Sequence, residues 1–276
     1  MSISKNPFDL TGQTIAITGA GGLMGRQFAI SLAEFGANLI LIDLNAESIA
    51  KLSEELKQHF NIEIATHASD ITDEEQVLMT TKACIDRFGT VNGLINNAAR
   101  NPKVGSSGLT SLGRLETLSL DEWNADLAVG LTGAFLCSKH FGAAMSQNSV
   151  GGNIVNISSD LGLISPDQRI YGTPEAPAEL NPVKPVSYSV VKSGLLGLTR
   201  YLATYWPGKV RCNAICPGGI ELDQDADFIA KLSSRIPMGR MAKPDEYGAT
   251  MVYLMSTASS YLNGAIIPID GGRTAW

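Results

Sequence analysis

Tyr188 and Lys192 stand four residues apart in the stretch SYSVVKSG, 187–194. At helical spacing the two side chains share one face, one above the other. A free phenol ionises near pH 10, too high for a base at neutral pH. A neighbouring ammonium favours the phenolate and lowers that value, which would make Tyr188 a proton-transfer group. The pattern is short, and a surface helix carrying an ordinary tyrosine and an ordinary lysine fits it equally well. Its meaning depends on what the rest of the chain places around it.

A second chemical signal lies near the start. TIAITGAGGLMGR runs a β-branched segment into Gly19, Gly22 and Gly25 and then into a helical pattern. Glycines at this spacing let the backbone turn tightly and approach a pyrophosphate, with the N–H groups of the helix start facing the negative charge. Leu23 and Met24 belong to the same turn. The next apolar run ends at Asp43, followed by Leu44, 18 residues after Gly25. A carboxylate there would accept hydrogen bonds from an adenosine ribose and repel a 2′-phosphate, which favours NAD(H) over NADP(H). Asp43 could instead cap the helix over 46–59, and Arg26 is a counter-signal, since an arginine near the loop could meet a 2′-phosphate.

These groups need a scaffold, and the hydrophobic pattern supplies one. Segments 14–18, 38–43, 62–68, 91–96, 152–158, 209–215 and 265–269 read as strands. Most are continuous apolar runs, as expected for strands covered on both faces. Segments 24–35, 46–59, 73–88, 121–146, 187–206 and 244–258 carry helical periodicity, with Asp73 and Asp121 as N-caps and Gly36 and Gly89 as stops. Alternation over the whole length predicts an α/β fold: one doubly wound domain over 1–276, with a parallel sheet and helices on both faces. The stretch 160–186 breaks the rhythm with five prolines and no clear period. A loop this long in a compact domain is usually functional or disordered.

Composition excludes several classes. The chain is 44% hydrophobic and 17% charged, with net charge −6, so it carries no electrostatic footprint for nucleic acid. No stretch approaches the ~18 apolar residues of a membrane span, and the first residues lack a signal-peptide core, so a cytoplasmic protein is expected. Cys84, Cys137, Cys212 and Cys216 read as buried small hydrophobes, and the three histidines form no ligand spacing, so no metal is expected.

The ordered segments TGAGGLMG, LIDLN, SDITD, LINNAAR, NIVNISS, YSVVK, VRCNAICPGGI, GRMAKPDEYG and YLNGAIIPIDGG resemble the short-chain dehydrogenase/reductase family, from about Thr11 to Gly272. The resemblance implies a Rossmann-type, seven-stranded sheet, a nicotinamide dinucleotide, a small-molecule carbinol or carbonyl substrate, and a homodimer or homotetramer. It makes Ser159 the substrate-orienting serine, Tyr188 the acid/base and Lys192 the lysine that holds the nicotinamide ribose. Asp70 with Ile71 falls beside the adenine, Asn97 with Ala98 along the cofactor, and Pro217, Gly218 and Ile220 at the turn meeting the carboxamide.

Three departures stand out. The glycine spacing T-G-x-x-G-x-x-G is that of the family's extended branch, whereas the length and the C-terminal motifs match the single-domain branch. An asparagine that the family often places within V-N-L-T-G, completing a proton path near the lysine, is Gly130 here. Ser159 and Tyr188 are 29 residues apart, an unusually long interval, and Tyr171 is a decoy with Glu175 rather than a lysine four residues later. The extra residues form the proline-rich loop, expected over the mouth of the site. Its Asp167, Gln168, Arg169, Glu175 and Glu179 suit a polyhydroxylated or charged substrate better than a steroid or acyl chain. The loop, taken with VGLTGAF, resembles a subgroup associated with flagellin glycosylation and nonulosonate sugar pathways. A steroid- or acyl-type reductase and a dinucleotide-binding regulator without chemistry are the competing readings.

Overall fold

The computed structural model describes residues 6–100, 113–172 and 177–276. Glu175 lies outside them. Seven strands form one parallel sheet in the order β3-β2-β1-β4-β5-β6-β7. They are β1 Thr14–Thr18, β2 Asn38–Asp43, β3 Ile64–Ala68, β4 Gly93–Asn96, β5 Gly152–Ile157, β6 Val210–Pro217 and β7 Ile266–Ile269. Helices α1 Leu23–Glu34, α2 Ala46–His59, α3 Glu74–Phe88, α4 Leu120–Leu127, α5 Gly133–Gln147, α6 Val186–Tyr205, α7 Ala226–Ser233 and α8 Gly248–Met255 complete the domain.

The two-residue strand period divides the apolar side chains between two cores. Ile15, Ile17, Leu39 and Leu41 pack with Phe28, Leu32 and Met251 on one face, whereas Ala16, Ile40, Leu94 and Ile154 pack with Phe141, Met145 and Leu202 on the other. This two-sided burial is why the strands read as unbroken apolar runs. The chain winds outward in one direction from β1 to β3 and in the other from β4 to β7. The reversal between β1 and β4 opens a crevice at the carboxyl ends of the strands, where ligands bind in such sheets.

Helix boundaries follow local chemistry. Asp73 caps α3 by accepting from the amides of Glu75 and Gln76, at 2.9 and 3.2 Å. Gly36 and Gly89 close their helices at φ +88° and +72°. Asp121 is not a cap: Ser119 caps α4 in a reciprocal capping box with Glu122. The expected helix 121–146 is divided by a π turn over Ala128–Thr132 that contains Gly130. The acidic run after β6 stays outside helix, and α7 begins only after its cap, Asp225.

Candidate active site

A cleft of about 1150 Å³ runs across the switch point, above the size range of pockets for drug-sized ligands. One end is the glycine turn. Gly19 takes φ +63°, and a Cβ there would lie 2.8 Å from Ala98 Cα; a Cβ on Gly25 would lie 2.2 Å from Gly19 O. Gly21, which the motif spacing left out, packs closely too: a Cβ there would lie 2.0 Å from the side-chain Oγ of Ser48. Gly22, by contrast, is the N-cap of α1 in extended backbone and meets only Gly19 O at 3.3 Å. α1 has no acidic residue in its first turn, so its N–H groups present uncompensated positive charge to the cleft. This cradle fits a pyrophosphate.

The surrounding residues hold the cradle in shape. Asn97 donates from Nδ2 to the carbonyls of Thr18 and Gly19, at 3.0 Å each, while Thr18 Oγ1 accepts from the amides of Asn97 and Ala98. Asp43 accepts at Oδ2 from Gly21 N–H, 2.9 Å, and at Oδ1 from Asn45 N–H, 3.0 Å. It does not cap α2; Asn45 does. Arg26 is paired with Glu55 on α2 and does not line the cleft. Leu23, Met24, Leu44, Asp70 and Ile71 line the cleft on this side. Asp70 is turned onto its own loop, accepting from Thr72 N–H and Oγ1 at 2.8 and 2.7 Å. Gly25, buried on α1, shapes the turn without lining the cleft.

The other end gathers Ser159, Tyr188 and Lys192 with Pro217, Gly218 and Ile220. Ser159 follows β5 directly, and Tyr188 and Lys192 lie one turn apart on α6, so two neighbouring elements bring them to one wall. Lys192 is buried and donates from Nζ to Ile157 O at 2.8 Å. Burial, reinforced by the charge of Lys184, pulls its pKa down to about 8. Ser159 donates from Oγ to Asp160 Oδ1 at 2.8 Å, and its side chain favours the ionised form of the Tyr188 phenol.

The protein by itself does not lower the Tyr188 pKa. Burial raises it, outweighing the contribution of Ser159. Lys192 Nζ is 5.7 Å from the centre of the Tyr188 ring, whereas Lys184 Nζ stands over the ring face at 3.8 Å.

The proline-rich loop does reach the cleft, through Ile170, Tyr171, Gly172, Pro182 and Lys184. Three of the polar groups expected to face substrate, Asp167, Gln168 and Arg169, do something else. Asp167 pairs with Arg169 and Arg235 at 2.8 and 2.7 Å, fastening the loop to the segment after α7. Gln168 bonds the backbone of Lys184 at both its amide atoms, and Glu179 is exposed. Tyr171 is no base: its ring packs on Phe228 of α7, centroids 5.6 Å apart, and burial raises its pKa.

Two pairs of residues were missed in the sequence. Asp160 and Arg273, 3% and 7% exposed, form an ion pair at 2.6 Å that links the turn after β5 to the C-terminal residues. Asp126 accepts from Ser187 Oγ at 2.6 Å and pairs with Arg100 at 3.5 Å. Nothing in the spacing announces Arg273. Lys184 had a signal, because Lys184, Tyr188 and Lys192 recur at intervals of four. Gly130 is explained by packing: a Cβ would lie 2.5 Å from Val191 Cγ1, so no asparagine fits while Val191 holds its place.

The four cysteines are free and buried, and among the described residues no three His, Cys, Asp or Glu side chains converge as a metal site. Among the same residues, no helix is long and apolar enough to cross a membrane.

Comparison with known proteins gives concordant matches. The family model described as Enoyl-(Acyl carrier protein) reductase matches residues 19–274. D-threitol dehydrogenase of Mycolicibacterium smegmatis is 33% identical over 276 residues, covering 97% of this chain and 95% of the relative. Galactitol 2-dehydrogenase (L-tagatose-forming) of Cereibacter sphaeroides is 32% identical over 282 residues, covering 99% of each. The crystal structure of a gluconate 5-dehydrogenase from Burkholderia cenocepacia in complex with NADP and tartrate superposes with a TM-score of 0.82, at 26% identity and 98% coverage of both chains.

Proposed function

The chain belongs to the short-chain dehydrogenase/reductase family, and from that premise we propose that it oxidises and reduces a polyol or sugar-like substrate with NAD(H). One observation carries the reading: a single cleft holds the glycine cradle and Asp43 at one end and Ser159, Tyr188 and Lys192 at the other. The dinucleotide supplies the hydride acceptor or donor when bound. The protein's part is binding, orientation and proton transfer. Gly19 and Gly22 with the start of α1 would bind the phosphates in the turn that Gly25 shapes, and Asp43, Leu44, Asp70 and Ile71 would surround the adenosine. Pro217, Gly218 and Ile220 meet the nicotinamide end, and Lys192 the adjoining ribose. Ser159 holds the substrate oxygen, and Tyr188 gives it or takes from it a proton.

NAD(H) is preferred because the carboxylate of Asp43 stands at the end of β2 while Arg26 is engaged by Glu55. The structural neighbour bound to NADP marks the alternative. The polyol class rests on the named relatives and on the charged groups Asp160, Lys184 and Arg273 in the wall, which disfavour a steroid or acyl chain. Those relatives lend no support to the narrower resemblance to flagellin and nonulosonate pathways. A regulator without chemistry is opposed by the assembly of Ser159, Tyr188 and Lys192 in one wall. We extend the proposal to a cytoplasmic homodimer or homotetramer, for which exposed Phe135 on α5 and Tyr201 and Tyr205 on α6 offer an apolar surface.

The test is the absorbance of reduced dinucleotide at 340 nm with NAD+ and threitol, galactitol and related polyols. Turnover should fall by about 10²–10⁴-fold in Tyr188→Phe, the contribution of a positioned acid/base. Equal rates in the variant and the wild type refute the assignment.

A further inference from the structure

Beside Tyr188 lies a second, small cavity of about 10 Å³, room for one water. Its polar lining is Arg100, Asp126, Lys184, Tyr188 and Lys192. Arg100, Lys184, Tyr188 and Lys192 also line the large cleft, so the small cavity adjoins substrate space through these side chains. Arg100 has 44% of its side chain exposed, which gives the cavity an edge on solvent.

Around Tyr188 the two amines are not equivalent. Lys192 Nζ is engaged with Ile157 O at 2.8 Å and is the more distant amine from the Tyr188 ring. Lys184 Nζ lies over that ring at 3.8 Å. Its surroundings hold charges of both signs: Asp126 from α4, Arg100 after β4, Asp160 with Arg273 after β5, and Lys192 on α6.

We infer that Lys184 exchanges the proton of Tyr188 with solvent across the small cavity. The inference rests on the proposed role of Tyr188. In alcohol oxidation the substrate O–H bond breaks and its proton joins the Tyr188 oxygen as hydride leaves the carbon. The Tyr188 O–H bond then breaks, and its proton crosses the cavity water to the uncharged Lys184 amine, forming an N–H bond. The ammonium gives that proton to solvent on the Arg100 side, with no change of redox state. Reduction runs the same path backwards. Burial, partly offset by Asp160 and Asp126, holds the Lys184 pKa down to about 8, so both forms exist at the pH where the step is required.

The test compares wild type, Lys184→Met, Lys184→Arg and Tyr188→Phe in polyol oxidation. A guanidinium keeps the charge and does not give up its proton in this range. Both Lys184 variants should lose about 10²-fold in kcat, the low end for a positioned proton-transfer group, and show a larger solvent deuterium isotope effect. NAD(H) affinity, read by dinucleotide fluorescence, should stay within twofold of wild type. Added methylamine should restore turnover to Lys184→Met in proportion to its free base. Wild-type kcat in Lys184→Arg overturns the inference, because charge alone would then suffice. So does a loss of turnover accompanied by loss of NAD(H) binding, or one that methylamine does not relieve. A fully active Tyr188→Phe overturns the underlying function instead.

Discussion

Arg273→Met isolates the buried ion pair that fixes the catalytic wall. In the wild type, Asp160 Oδ2 accepts from Arg273 at 2.6 Å, while Oδ1 accepts from Ser159 Oγ and Leu161 N–H, both at 2.8 Å. Methionine retains most of the apolar volume and removes the cation bonded to a carboxylate that is 3% exposed. Breaking a buried pair in this way costs about 3–5 kcal/mol, because one charge is left uncompensated. The two remaining hydrogen bonds on Oδ1 place the loss near 3 kcal/mol, roughly a hundredfold in the folded-to-unfolded ratio. For a domain of this size that lowers the Tm by about 6 °C.

Urea unfolding at pH 7.5 measures the free energy, and the double variant Asp160→Asn/Arg273→Met separates the pair from general packing. With the charge gone from both sides, the double variant should regain a large part of the loss, giving a coupling well above the scatter of independent sites, ~0.5 kcal/mol. Turnover per folded molecule should fall in the single variant, since Asp160 holds the Ser159 hydroxyl. A cost under ~1 kcal/mol, the range of exposed pairs, would refute the reasoning; so would strict additivity in the double variant.

Two further outcomes are expected. Gly130→Asn, which puts a side chain at the π turn, should lose about 1–3 kcal/mol by overpacking against Val191, and Val191→Ala in the same chain should recover most of it; a melting temperature equal to wild type would refute the packing account. Asp43→Asn retains an acceptor for Gly21 N–H and removes the charge, so the ratio of kcat/KM for NADP+ over NAD+ should rise at least about tenfold, 1.4 kcal/mol; an unchanged ratio would remove Asp43 from cofactor selection.

The fold was legible because burial on both faces writes itself into each strand as a local apolar run. The cradle was legible for a similar reason: Gly25 answers to Gly19 and Ala20 within the same turn, and Gly19 takes a positive φ there. Errors arose where a local pattern had two solutions. Ser119 and Glu122 already spelled a capping box, but the helical period alone placed the cap at Asp121. The π turn at 128–132 adds a residue without breaking the apolar rhythm, so 121–146 read as one helix. Arg273 could not be found, since its partner is 113 residues away. Lys184 shares the four-residue interval of Tyr188 and Lys192, but Pro185 caps the helix after it, so the lysine stands outside the helical pattern that gave the interval its meaning. Asp167 and Arg169 were misassigned because composition cannot distinguish a charge that faces a ligand from one that fastens a loop in place.

The balance of forces on Tyr188 connects these pieces. Burial favours the neutral phenol, and the ordinary tyrosine value already lies about three units above neutral pH, so the protein alone holds Tyr188 in its proton-donating form. That is the form carbonyl reduction consumes. Oxidation needs the phenolate, which the Ser159 side chain favours, while Lys184 Nζ lies over the ring at 3.8 Å, placed to take up the proton. Asp160 works in the opposite direction: its negative charge disfavours the phenolate. Arg273 neutralises that carboxylate at 2.6 Å. A residue at the end of the chain thus governs the acidity of a phenol it need not touch, through the one carboxylate that also orients Ser159.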